Sequence, residues 1–268
     1  MPSGHMRAFH VLLRIAVCAA LMACGANAPA TAQANAPRIA AASDLKFALD
    51  EVIAAFAKDT GRGVVPTYGS SGNFKTQIIQ GAPFQIFMSA DESFVFELAE
   101  KGLTLDRGEL YAIGRIVLFA PAGARWTPDA ELSDLKAAVS DGRVNQFAIA
   151  NPDHAPYGRA AEETLRAVGL WDGLRSRLVL GENVSQAAQF ATSGSTQGGI
   201  FALSLALAPQ IEKLGSYALI PADLHKPLRQ RMVRMKNADA DARAFYDYVQ
   251  SPPARSVLKR YGFLLPGE

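Results

Sequence analysis

The sequence predicts an α/β protein built as two lobes, and three observations predict it. From Arg38 onward, short apolar runs alternate with segments whose apolar residues recur at helical spacing. Three strand–helix units follow one another between Arg38 and Gly102 with no long loop between them. A second series of the same kind opens near Arg115, so a single sheet does not use up the chain.

Each element has its own justification. Arg38 to Ala42 reads as a buried strand, and Leu45, Leu49, Val52, Ile53 and Phe56 then share one helical face. Gly61 and Gly63 stop that helix, and Val64 to Tyr68 is the next strand. Phe74 to Gln80 is helical, Gln85 to Ser89 is a strand, and Ser93 to Lys101 is a helix closed by Gly102. The second series begins with Arg115 to Ala120 and a loop around Pro121 and Pro128. Gln146 to Ala150 is a strand, Arg159 to Val168 a helix, Leu178 to Leu180 a strand and Val184 to Thr192 a helix. Gly199 to Leu205 is an apolar, strand-like run, with further strands at Tyr217 to Ile220 and Arg231 to Met235. Two amphipathic helices separated at Pro252-Pro253 complete the chain. This pattern puts residues 38–112 and 222–268 in lobe 1 and residues 113–221 in lobe 2.

The N-terminus carries a separate signal. Arg7 and Arg14 precede the apolar stretch Ile15 to Ala23, and a small-residue tract ends at Ala30-Thr31-Ala32-Gln33. This order reads as a secretory signal peptide over residues 1–32, which places the mature protein in the periplasm. The stretch is far short of the roughly 20 residues that span a bilayer. Both cysteines, Cys18 and Cys24, fall inside it, so the mature chain has no thiol for a disulfide or a metal site. Leu21-Met22-Ala23-Cys24 also fits a lipoprotein cleavage box, and a cut there would leave a lipid anchor on Cys24. Met22 is atypical for that box, so cleavage after Ala32 is the expectation.

A formal net charge of +2 with no block of lysine and arginine argues against a nucleic-acid partner. Three polar turns lie where a strand ends and a helix begins: Ala42-Ser43-Asp44-Leu45, Tyr68-Gly69-Ser70-Ser71-Gly72-Asn73 and Gly181-Glu182-Asn183-Val184-Ser185. Helix starts leave backbone N–H groups without intrahelical partners, and glycine lets a ligand approach the backbone. Helix capping alone also accounts for each turn taken singly. No phosphate-binding loop, dinucleotide fingerprint or nucleophile elbow is present. His154 and His225 are far apart and outside any zinc motif. Phe94, Phe96, Phe245, Tyr246 and Tyr248 read as core.

In their order and spacing these turns resemble those of the molybdate-binding proteins of bacterial ABC importers, which are type II periplasmic binding proteins. The resemblance runs from about 38 to 265. It rests on Ala40-Ala-Ala-Ser43-Asp-Leu, Gly69-Ser-Ser71-Gly-Asn, Gly81-Ala-Pro83, Met88-Ser-Ala-Asp91, Asn151-Pro-Asp-His-Ala-Pro-Tyr157-Gly, Gly181-Glu-Asn-Val184 and Arg260-Tyr-Gly-Phe263. It implies a ligand cleft between the lobes and a non-enzymatic, monomeric protein without cofactor. Such a protein carries molybdate or tungstate to an inner-membrane ABC permease. It further implies that Ser43 and Ser71 give hydroxyls and N–H groups from lobe 1, and that Tyr157 and Val184 give N–H groups from lobe 2. These groups contact oxyanion oxygens, so no side chain ligates molybdenum. Asp44 lies beside the site, contributes at most its N–H, and is expected to turn its side chain outward at the first helical turn. One departure stands out: where many relatives place a ligand-contacting tyrosine, this chain has Phe201, with Ser204 and Tyr157 as hydroxyls that could compensate. The same fold tuned to sulfate, phosphate or an organic acid, a secreted serine hydrolase using Ser70 or Ser71, and a surface adhesin are the alternative readings.

Overall fold

Ten strands form two five-stranded sheets in this computed structural model, which describes residues 36–267. The expected leader over 1–32, with Cys18 and Cys24, lies outside the described residues. Sheet one contains β1 (Arg38–Ala42), β2 (Val65–Gly69), β3 (Ile86–Ser89), β4 (Glu109–Gly114) and β10 (Leu228–Arg234), in the order β2-β1-β3-β10-β4. Sheet two contains β5 (Ile116–Pro121), β6 (Phe147–Ala150), β7 (Leu178–Gly181), β8 (Gly199–Ala202) and β9 (Gly215–Leu219), in the order β7-β6-β8-β5-β9. In each sheet the strands nearest the site pair in parallel, β1 with β2 and β3, and β6 with β7 and β8. Each sheet also admits an antiparallel strand from elsewhere in the chain: β10 between β3 and β4, and β5 between β8 and β9.

The apolar runs dictate this layering. Along β1 the side chains alternate in direction, so Ile39 and Ala41 join one core while Ala40 joins another. Both faces are covered, which is why the strand reads as an unbroken apolar run. The helix Lys46–Thr60 and the tail helices Ala240–Val249 and Pro252–Arg260 cover the first face, where Phe56 and Phe245 meet edge-on at 5.2 Å. The helices Ser71–Ile79 and Glu92–Glu100 cover the second, around Phe74, Phe87 and Leu98. Sheet two has a separate core centred on Phe119, Phe147 and Phe201. The chain passes between the sheets twice. Only Arg115 separates β4 from β5, and the turn Ala222–Leu224 lies between β9 and β10.

Several elements depart from the sequence expectation, each for a physical reason. β4 and the helix Ser133–Ser140 were not anticipated; β4 is six residues long, has no regular alternation in burial and takes its register from a distant partner, β10. The apolar run from Gly199 divides into β8 and a helical turn, Leu203–Ala206, because a run buried on all sides carries no usable period. Helices expected from Phe74 and Arg159 begin at Ser71 and Pro156. Those earlier starts place Ser71 and Tyr157 inside first helical turns.

Candidate functional site

The carboxyl ends of parallel strands share one edge of each sheet, and ligands of open α/β sheets sit there. From β1 the chain enters the 3-10 turn Ser43–Leu45 and then the helix from Lys46; from β2 it enters the helix from Ser71. β6 and β7 lead to the helices Pro156–Ala167 and Val184–Thr192. These starts converge on one small cavity, of about 10 Å³, and Ser43, Asp44, Ser71, Tyr157 and Val184 all line it. All five residues singled out from the sequence are therefore brought together. The lining also includes Ser70 and Ala90, and no lysine, arginine or histidine.

Local hydrogen bonding decides what the cavity can offer. The Ser71 hydroxyl accepts from the Ala90 N–H at 3.0 Å, and the Ser43 hydroxyl accepts from the Ser185 N–H at 3.3 Å. A hydroxyl that already accepts still holds its own proton, so each remains able to donate. Asn183 caps its helix by accepting from the N–H groups of Ser185 and Gln186, and the Val184 N–H is left outside that cap. Pro156 opens its helix with no N–H to give, and Tyr157 is the first residue there with a donor. No side chain caps the helix at Ser71. The result is a concentration of hydroxyl and N–H donors at helix N-termini, where the aligned peptide dipoles favour negative charge.

The two sides of the cleft meet closely around this cavity. The Ser70 hydroxyl donates to the His154 carbonyl at 2.5 Å, and the Gly72 N–H donates to the same carbonyl at 3.0 Å. A Cβ on Gly72 would fall 2.5 Å from that oxygen, so the approach requires glycine. Ser185 donates its hydroxyl to the Ser43 carbonyl at 2.8 Å. Farther out, Arg159 pairs with Asp91, and Asn73 donates to Glu182. His154 Nδ1 lies 3.0 Å from Ser70 Oγ, and Glu182 faces His154 Nε2 at 3.7 Å. The three side chains outline a Ser-His-Glu set. However, the single hydroxyl proton of Ser70 goes to the His154 carbonyl, so Nδ1 must donate to Oγ. A ring that donates to the hydroxyl is the reverse of a general base.

Asp44 corrects the sequence expectation. Its side chain turns inward, not outward, and is buried. Oδ2 accepts from Tyr157 Oη at 2.9 Å and from Gln230 Nε2 at 2.6 Å, while Gln230 Oε1 accepts from Tyr111 at 2.7 Å. Burial raises the Asp44 carboxyl to about 6, against the partial relief supplied by Gln230 and Tyr157. Burial, with the Asp44 carboxylate nearby, lifts Tyr111 and Tyr157 well above the usual phenol range. Phe201 lies fully buried in the core of sheet two, 5.2 Å from Phe119 between ring centres, and does not line the cavity. The two hydroxyls considered as substitutes are engaged elsewhere, Tyr157 on Asp44 Oδ2 and Ser204 on the Asp44 carbonyl at 2.8 Å. Sequence reasoning missed Gln230, Tyr111 and the role of Ala90. In β10, Gln230 alternates with the buried Leu228 and Met232 and is itself fully buried, and a glutamine on that inward-facing side is the signal that could have found the first. Among the described residues no group of histidine, cysteine and carboxylate side chains could hold a metal ion.

A cleft between two α/β lobes, lined with uncharged donors and closed by contacts from both sides, defines a solute-binding protein. The chain belongs to the bacterial extracellular solute-binding protein family, matched over residues 37–264. It is 35% identical to the molybdate-binding protein ModA of Rhodobacter capsulatus, across 97% of this chain and 99% of that protein. It is 33% identical to ModA of Azotobacter vinelandii, across 94% of this chain and 96% of that protein. The solved periplasmic molybdate-binding protein of Azotobacter vinelandii superposes with a TM-score of 0.77 at 32% identity, covering 86% of this chain and 99% of that one.

Proposed function

We propose that this protein binds molybdate, and tungstate equally, in the cavity at Ser43, Ser71, Tyr157 and Val184, and delivers it to an ABC permease. One observation carries this reading: the Ser43 and Ser71 hydroxyls each accept a backbone N–H and so keep a proton for a ligand, in a cavity with no cationic side chain. A fully ionised tetrahedral oxyanion offers acceptors on every side. Burying it is costly unless donors already point at it, and charge-assisted bonds are about twice as strong as neutral ones. Fixed donors also discriminate by size, because sulfate and phosphate have shorter bonds and leave some donors out of reach. Tungstate is nearly isosteric with molybdate, so this geometry does not separate them.

The kinship to molybdate-binding proteins supports the ligand and the permease partner. The inverted Ser70–His154 hydrogen bond supports a binding role over a hydrolytic one. With the leader expected over 1–32, the protein acts as a monomer in the periplasm; a cut at Cys24 would tether it by lipid. Ligand contacts from both lobes would favour the shut form. At a hundredfold excess over Kd, molybdate is expected to add about 2.7 kcal/mol, or roughly 5–10 °C in Tm. Equal sulfate is expected to change Tm little in the same scan. Equal stabilisation by sulfate would overturn the molybdate assignment, and no stabilisation by any oxyanion would overturn the site.

A further inference from the structure

We infer that the loaded site holds one proton between Asp44 and a ligand oxygen, so that binding a fully deprotonated oxyanion takes up a proton from solvent. This rests on the reading of the cavity as an oxyanion site. The geometry is specific about where that proton resides. Oδ2 of Asp44 is occupied as an acceptor, by Tyr157 Oη and Gln230 Nε2. The donor face of Gln230 is set from behind, because its Oε1 accepts from Tyr111. Oδ1 is buried and has no protein donor among the described residues. A carboxylate oxygen left without a donor is costly to bury, and a dianion in the same cavity raises that cost through repulsion. Protonation at Oδ1 removes both penalties and turns the oxygen into a donor, the one kind of group a fully ionised oxyanion can use.

The surroundings leave Asp44 as the group that titrates. Tyr157 and Tyr111 face it from the helix at Pro156 and from β4, and both phenols are held protonated by burial. The turn's other neighbours contribute Ser185 and Ser204, which do not titrate. Lys46, two residues on, pairs with Asp50, and Tyr68 donates to the same Asp50 carboxylate. Burial already raises the Asp44 carboxyl to about 6 in the protein without ligand. Well below that pH the proton is in place; well above it each unit of pH removes it from about nine-tenths of the molecules that still hold it.

Isothermal titration of the protein with molybdate between pH 5.5 and 8.5, in paired buffers of different ionisation enthalpy, tests this. At pH 8 close to one proton is expected to be taken up per molybdate bound, and about a quarter of one at pH 5.5. Kd is expected to rise about tenfold per pH unit above pH 7. Asp44→Asn presents an N–H in place of the O–H, and its affinity is expected to lose both the pH slope and the proton uptake. Molybdate binding with a flat Kd and no uptake at pH 8 would sink this inference and leave the proposed function intact. A slope that persists in Asp44→Asn would also sink it. If no oxyanion binds at any pH, both fall together.

Discussion

Ser71 is the residue on which the binding reading turns most directly. Its hydroxyl accepts from Ala90 and keeps its proton, so removing it deletes a donor and frees the Ala90 N–H of its acceptor, while the helix that starts there has no side-chain cap to lose. Ser71→Ala is expected to weaken molybdate binding by about 1–3 kcal/mol, measured by calorimetry, with the fold unchanged. An unaltered affinity would remove this hydroxyl from the site. Asp44 marks the limit of what single residues disclose. From the sequence it is an acid in a first helical turn, where outward exposure is the favourable default. The partners that draw it inward, Tyr157 and Gln230, lie 113 and 186 residues away, and nothing local announces them. Phe201 shows the same limit in reverse: its likeness to a ligand position is one of register, while its side chain belongs to the core of sheet two.

At the scale of elements, the turns after β1, β2 and β7 were legible because their chemistry is local. Glycine, serine and asparagine at a strand end predict a helix start whatever the rest of the chain does. The fourth start, at Pro156, entered through the resemblance alone: its polar residues Asn151 and Asp153 lie several positions before the helix begins. What the turns could not disclose is how tightly they approach one another. Gly72 is the tightest point, with its N–H on the His154 carbonyl and no room for a Cβ. Gly72→Ala forces these two turns apart and is expected to cost the closed form about 1–3 kcal/mol, in line with other overpacked contacts. The measurement is a weaker molybdate affinity alongside an unchanged far-ultraviolet spectrum. Equal affinity in Gly72→Ala would mean that the close approach does not contribute to closure.

The whole molecule joins two sheets that were each readable in outline, because buried parallel strands appear as apolar runs. β4 escaped notice because its place depends on β10, which arrives more than a hundred residues later. Across the cleft the pair Arg159–Asp91 closes one side, with the guanidinium also over the Phe94 ring at 5.2 Å. The pair is partly exposed, so Arg159→Ala is expected to cost only about 0.2–1 kcal/mol. Stopped-flow release of molybdate should quicken about 1.4- to 5-fold, with association little changed. A slower release would show that the pair holds the cleft open instead.

The position of β10 also governs how the protein is made. Sheet one needs that strand to join β3 to β4, yet it is among the last parts of the chain to be synthesised. Sheet two runs without interruption from Ile116 to Leu219 and can assemble while the tail is still emerging. Until then the lobe carrying Ser43 and Ser71 has two unpaired strand edges and a core without Phe245. A nascent chain in that state cannot lock shut early.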